Sequence, residues 1–187
     1  VYQEKSRQTI LKNGTERKIP MKEINIGQAT AITSPDPLML VCTKKEDGSL
    51  NMAPVSFFMY PSFNPSMLAS AMRTTANSSV NVMRTGKAVL AAPGISIKDA
   101  VMAYGSANGG DKNKLEEHPI ALQTMDGNDI SFPEDCRIAF AVTLEQTVTA
   151  GDHNLYLCKI DKMLADDSKE ALFAWDGYAK VAPAQEK

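Results

Sequence analysis

The chain has 187 residues, 20 Lys and Arg against 22 Asp and Glu, a formal net charge of -2 and two histidines. That length favours a single domain able to bury roughly 70% of the surface its unfolded form exposes, so no covalent staple is needed. The balanced charge, without long single-sign runs, argues against a nucleic-acid footprint and a basic membrane-surface stripe, and no run of apolar residues is long enough to span a bilayer.

Residues 1–17 carry no period and read as an arm or a frayed end, with the domain expected over residues 18–187. The polar beginning shows no signal core. Its start at Val1 suggests trimming, and the expected location is cytoplasmic. No repeat or low-complexity linker divides the chain. Pro35-Asp36-Pro37 precedes an apolar strand over residues 38–43, and the polar turn 44–48, with Asp47-Gly48, leads into an apolar and aromatic run over 51–60. The prolines at 61 and 65 are expected to break the chain before a buried strand over 67–72. Residues 77–85 predict a short helix, with Asn77 or Ser78 as its cap and Gly86 as its terminator. A strand over 88–92, a helix over 96–103 and a polar glycine-containing loop over 105–114 follow; a compact domain keeps such a loop only for a reason. Residues 137–150 and 153–164 alternate about Gly151-Asp152 and predict a long antiparallel hairpin. Several antiparallel strands with a few short helices point to a small barrel rather than a sandwich, and the repeated strand–helix–strand units of a parallel sheet are absent.

Cys42, Cys136 and Cys158 are odd in number and widely spaced, which reads as buried free thiols in a reducing compartment. With His118 and His153 the only histidines, no pattern of metal ligands forms, and His118, before Pro119, has no assigned role. No GxSxG, P-loop, HExxH or GxGxxG motif occurs. More informative is the stretch Asn51-Met52-Ala53-Pro54-Val55-Ser56, whose small residues on a strand would let a flat ligand approach the backbone. Downstream, Ala71 and Met72 lead into Arg73-Thr74, and a helix start follows at Asn77-Ser78. An arginine, a hydroxyl and helix N-terminal amides are the parts of a phosphate site, although a solvated arginine beside an ordinary cap fits the same spacing.

Taken in order, several strings resemble the flavin reductase-like, flavoredoxin-type family. These are Pro35-Asp36-Pro37, Asp47-Gly48, residues 51–56, Asn64-Pro65, and Arg73 with Ser78-Ser79-Val80-Asn81-Val82 and Thr85-Gly86. Gly109-Gly110-Asp111-Lys112 and Gly151-Asp152-His153 continue the series, with a weaker echo at Trp175-Asp176-Gly177-Tyr178. The resemblance runs from about Pro35 to Leu164 and implies an antiparallel FMN-binding split β-barrel. It further implies a homodimer that holds flavin near the subunit interface. Carried over to this sequence, it places Asn51, Met52, Ala53, Pro54, Val55 and Ser56 along the flavin ring. Arg73 and Thr74, with Ser78 and Asn81, fall toward the ribityl phosphate, and Ala71 and Met72 join the cofactor-binding candidates. His153 falls beside the exposed ring face, where some members place the nicotinamide. The implied activity is NAD(P)H:flavin reductase, passing a hydride from NADH or NADPH to FMN and then to free flavin or a redox partner protein. A flavoredoxin-like electron carrier and a non-catalytic flavin- or nucleotide-binding module are the alternatives. Three positions depart from the family pattern: Ser78 stands for threonine, Thr74 for a lysine found in some members, and Cys158 for a glycine. Trp175 and Tyr178 read as packing residues.

Overall fold

The computed structural model describes residues 21–106 and 114–184, together with the short strands Leu11–Lys12 and Thr15–Glu16, which pair with each other. Seven strands build the main sheet. They are β1 (Met39–Lys44), β2 (Leu50–Val55), β3 (Phe58–Phe63), β4 (Ser66–Arg73), β5 (Lys87–Pro93), β6 (Cys136–Ala150) and β7 (His153–Ala165). Their order is β2-β1-β5-β6-β7-β4-β3, and every neighbouring pair is antiparallel. A small sheet adds β8 (Leu172–Trp175) and β9 (Lys180–Pro183), with Asp36–Pro37 pairing onto β8. The helices are α1 (Ile26–Thr33), α2 (Asn77–Thr85), α3 (Lys98–Ser106) and the single turn α4 (Lys114–Glu117).

The central strands read as unbroken apolar runs because both of their faces are buried. Leu40, Cys42, Val89 and Ala91 point into one cluster with Val101 and Tyr104 of α3, while Met39, Val41, Leu90 and Ala88 point into another with Val82 of α2. Side chains alternate across a strand, so one sequence run feeds two cores. The three cysteines lie in these cores as buried free thiols. Desolvation pushes Cys136 up to about 11 and Cys158 up to about 12, and Cys42 further still, so all three are kept as neutral thiols.

The long hairpin forms as expected. β6 and β7 pair from Ala150–His153 back to Ile138–Ala165, with Gly151 at φ 63° in the turn and two register shifts along the ladder. Three expectations need correction. The run 51–60 divides at Ser56-Phe57 into β2 and β3, which lie at opposite ends of the strand order. Pro61 does not break the chain: β3 continues through it, because β3 is an edge strand with a register shift between Met59 and Ser62 where no ladder donor is needed. The expected helix 96–103 is a short 3-10 turn, Ile95–Ile97, running into α3, which extends to Ser106. Helix α1 was not anticipated. Its start is a reciprocal capping box, Asn25 Oδ1 accepting from Gln28 N and Gln28 Oε1 from Asn25 N, at 2.9 and 3.1 Å.

Candidate functional site

A cleft of about 650 Å3 lies between β2, the end of β4, the start of α2 and the end of α3. One end is polar. β4 delivers Arg73, whose side chain is exposed, and the chain then passes through Thr75 and Ala76 into α2. The residue at the cap of α2 is Ala76, extended and with no side-chain cap bond. The amides of the first turn of a helix have no acceptor within it, and they carry the positive end of its dipole. Here nothing from the cap position covers them.

Asn77 and Ser78, the expected caps, are engaged elsewhere because the helix begins one residue earlier than that reading needs. Asn77 Oδ1 accepts from Asn81 Nδ2 at 3.1 Å, and Ser78 Oγ accepts from Asn51 Nδ2 at 2.9 Å. Asn81 Nδ2 also reaches Thr43 Oγ1 at 3.1 Å, and Ser79 Oγ donates to the Arg73 carbonyl at 2.6 Å. These buried side chains stitch α2 to β1, β2 and the end of β4, which holds the free amides toward the cleft. At the far end of α2, Gly86 sits at φ 67° and donates to Val82 O, the left-handed terminator expected of it.

The other end is made by close packing. Ala53, Pro54, Val55 and Ser56 form one wall, and Tyr104, Gly105 and Ser106 at the end of α3 approach it. A Cβ at Gly105 would stand 3.0 Å from Pro54 Cγ, so the absence of a side chain lets the helix come this near. Lys114 opens α4 as a buried amine, and its Nζ donates to the Tyr104 carbonyl. Tyr178 enters from the turn between β8 and β9, where Asp176, Gly177 and Tyr178 sit at φ 52°, 61° and 75°. That left-handed run is braced on α1: Asp176 N donates to Ser34 Oγ at 3.0 Å, and Gly177 lies against Thr30.

His153 opens β7 and is the register partner of Arg73. Its Nδ1 lies 2.8 Å from Asp152 Oδ1, and its ring packs 5.7 Å from that of Phe57. The His153 hydrogen bond and charge hold the Asp152 carboxyl below its usual range. With Nδ1–H donating to Asp152, Nε2 is the nitrogen left to meet a ligand.

Uncapped amides beside an arginine suit a phosphate, and a strand of small residues facing a glycine suits a flat ring. The residues present therefore fit a flavin nucleotide, with a phosphate at one end and a planar polar ring at the other.

The flavin reductase like domain model matches residues 32–182. The chain belongs to this family. Among solved structures it is similar to a protein with a split barrel domain from Shewanella frigidimarina NCIMB 400, at 14% identity and a TM-score of 0.76 over 86% of this chain and 88% of that one. It is also similar to an FMN-binding protein from Thermus thermophilus (17%, TM-score 0.74, 91% and 98%) and to the NADH:FAD oxidoreductase of Streptomyces globisporus C-1027 (9%, TM-score 0.76, 89% and 99%). At these identities the likeness shows the fold, a mainly β split barrel with antiparallel sheets and a few short helices. A search of curated proteins finds no match.

Within this flavin reductase-like domain, Asn51, Ala53, Pro54, Val55, Ser56, Ala71, Met72, Arg73, Ser78 and His153 all line the cleft. The remaining three candidates do not. Met52 is buried in the core with Leu40 and Cys42, on the other face of β2. Thr74 is exposed, with its N–H on the Asp152 carbonyl at 3.2 Å, and Thr75 takes the lining position. Asn81 lies beneath the site, supporting Asn77 and Thr43. Sequence reasoning missed Phe57, Thr75, Tyr104 and Lys114, and it assigned Tyr178 to packing. The glycine-containing loop was the available signal, since its two ends, Gly105-Ser106 and Lys114, both reach the cleft. The Gly109-Gly110-Asp111-Lys112 string lies outside the described residues. Cys158 packs in the second core. Trp175 packs within the small sheet, its Nε1 donating to Ala182 O at 3.3 Å.

Proposed function

We propose that this protein binds FMN in the cleft and acts as an NAD(P)H:flavin reductase. The observation that carries the reading is the continuity of an uncapped helix start beside Arg73 with a wall of small residues, Ala53, Pro54 and Val55, in one cleft. Arg73 and the first-turn amides of α2 would hold the phosphate by charge-assisted hydrogen bonds. Asn51, Ser56 and the backbone of residues 53–55 would orient the ring. Bound flavin supplies the hydride chemistry, so the protein's own tasks are to bind, orient and leave a face open. His153, held by Asp152 and packed at a tilt against Phe57, would meet the nicotinamide of NADH or NADPH. The electrons would then pass to free flavin or a partner protein.

A cytoplasmic homodimer is part of the same reading. Met59, Tyr60 and Phe63 of edge strand β3 are exposed apolar residues, as is Phe57, which lines the cleft, and this favours a second copy covering that edge. No described helix is long and apolar enough to cross a membrane.

The test is an absorbance spectrum of the purified protein before and after anaerobic NADH or NADPH. Flavin bands that bleach rapidly support the reductase. Bands that persist until dithionite is added indicate an electron carrier instead. A colourless protein that takes up no added FMN overturns the proposal.

A further inference from the structure

We infer that Lys114 is a ligand-binding residue, contacting an anionic group of the flavin nucleotide from the α3–α4 side of the cleft. The inference rests on the reading that the cleft holds a flavin. Lys114 is only 6% exposed, yet it lines the cleft. A lysine is rarely buried to this degree without an anionic partner, because taking an ammonium out of water costs several kcal/mol, roughly, unless another charge offsets it. Its partner among the described residues is the neutral carbonyl of Tyr104, which accepts one of the three protons that Nζ carries. Among the described residues no carboxylate forms an ion pair with it. Lys45, also among the described residues, lies near it with a charge of the same sign, and burial, with Lys45 adding to it, lowers the Lys114 pKa. A buried ammonium with two protons that no described residue accepts, on the wall of a cleft that carries Arg73 and free helix amides elsewhere, is completed by an anion brought in with the ligand. Two groups of a flavin nucleotide have that chemistry: the phosphate, and the polar edge of the ring, which becomes more negative on reduction.

Lys114→Gln keeps a donor for the Tyr104 carbonyl and removes the charge; Lys114→Arg keeps the charge. Apoprotein of each is titrated with FMN and with riboflavin, and the bound flavin's midpoint potential is measured against reference dyes. Lys114→Gln is expected to weaken FMN binding about tenfold, with Lys114→Arg restoring it to within about threefold of the natural chain. If riboflavin binding is unchanged, the contact is to the phosphate. If riboflavin weakens equally and the potential falls by about 30 mV for each tenfold preference lost, the contact is to the ring. Lys114→Met is read in the same way should the glutamine variant fail to fold. A folded charge-free variant that binds both flavins as the natural chain does, at an unchanged potential, overturns the inference, leaving Lys114 as a pin between α4 and α3. A natural chain that binds neither flavin overturns the inference and the functional reading together, whereas an indifferent variant overturns the inference alone.

Discussion

At the Arg73 end of the cleft, most groups that face a ligand come from one short stretch, Arg73 and residues 75–78, with His153 beside Arg73 on the neighbouring strand, and they combine an exposed guanidinium with uncapped helix amides. At the opposite end they come from four separated segments: β2, the end of α3, the start of α4 and the turn before β9. The first end works by charge at the surface, and the second works by the closeness of backbones that also hold the core. Substitution should therefore alter affinity without stability at the Arg73 end, and both together at the Gly105 end.

The largest expected effect tests the first half of that contrast. Arg73→Ala should weaken FMN by about one to two orders of magnitude, the value of a charge-assisted phosphate contact. Because the side chain is exposed, its thermal unfolding should stay near that of the natural chain. Titration of apoprotein with FMN, beside a melting curve, measures both, and a large loss of stability would erase the distinction.

Gly105→Ala tests the second half. The new Cβ would meet Pro54 Cγ at 3.0 Å, so the Pro54 ring or the end of α3 must give way slightly. A stability loss of about 1–2 kcal/mol is expected, accompanied by weaker FMN binding. Denaturant unfolding and the same titration would reveal a decoupling of the two if the wall is more pliant than its packing suggests.

His153→Ala is expected to leave FMN bound while raising the KM for nicotinamide roughly tenfold, as loss of an interaction with the second substrate alone would. Steady-state kinetics with saturating flavin decide it, and an unchanged KM removes His153 from the nicotinamide face.

The smallest effect concerns Asp152. His153, by hydrogen bond and charge, keeps the folded pKa of Asp152 below its ordinary carboxylate value. The Asp152 contribution is therefore fully present above that value and is lost as pH falls through the lower folded one. Melting temperatures of the natural chain and Asp152→Asn should differ slightly near about pH 6 and converge as acid protonates the Asp152 carboxylate. A gap that persists in acid would mean that charge is not what the pair contributes.

Legibility in the sequence followed the same division. The β6–β7 hairpin was readable because alternation and the Gly151-Asp152 turn act between neighbours in the chain. Helix α1 escaped because none of its residues is buried, so no apolar period marks it, although Asn25 and Gln28 already spelled its capping box. The division of residues 51–60 between opposite ends of the sheet was hidden for a different reason: both halves are strand, and only pairing with β1 and with β4 separates them. Tyr178 looked like packing because an aromatic in a turn has no periodic signature, and its left-handed backbone is held by Ser34 and Thr30 from far along the chain.

The sequence by itself determined the strands around 38–43, 67–72 and 88–92, the long hairpin, the α2 helix and its glycine terminator, and the arginine placed just before that helix, all features whose physics lies within a few residues. The tertiary structure alone decided that Ala76 leaves the helix amides uncapped, that Asn51 reaches Ser78, and that Gly105, Lys114 and Tyr178 share a cleft with Arg73. Those outcomes depend on which surfaces can approach one another after two cores have formed, and such approach is a property of the packed whole.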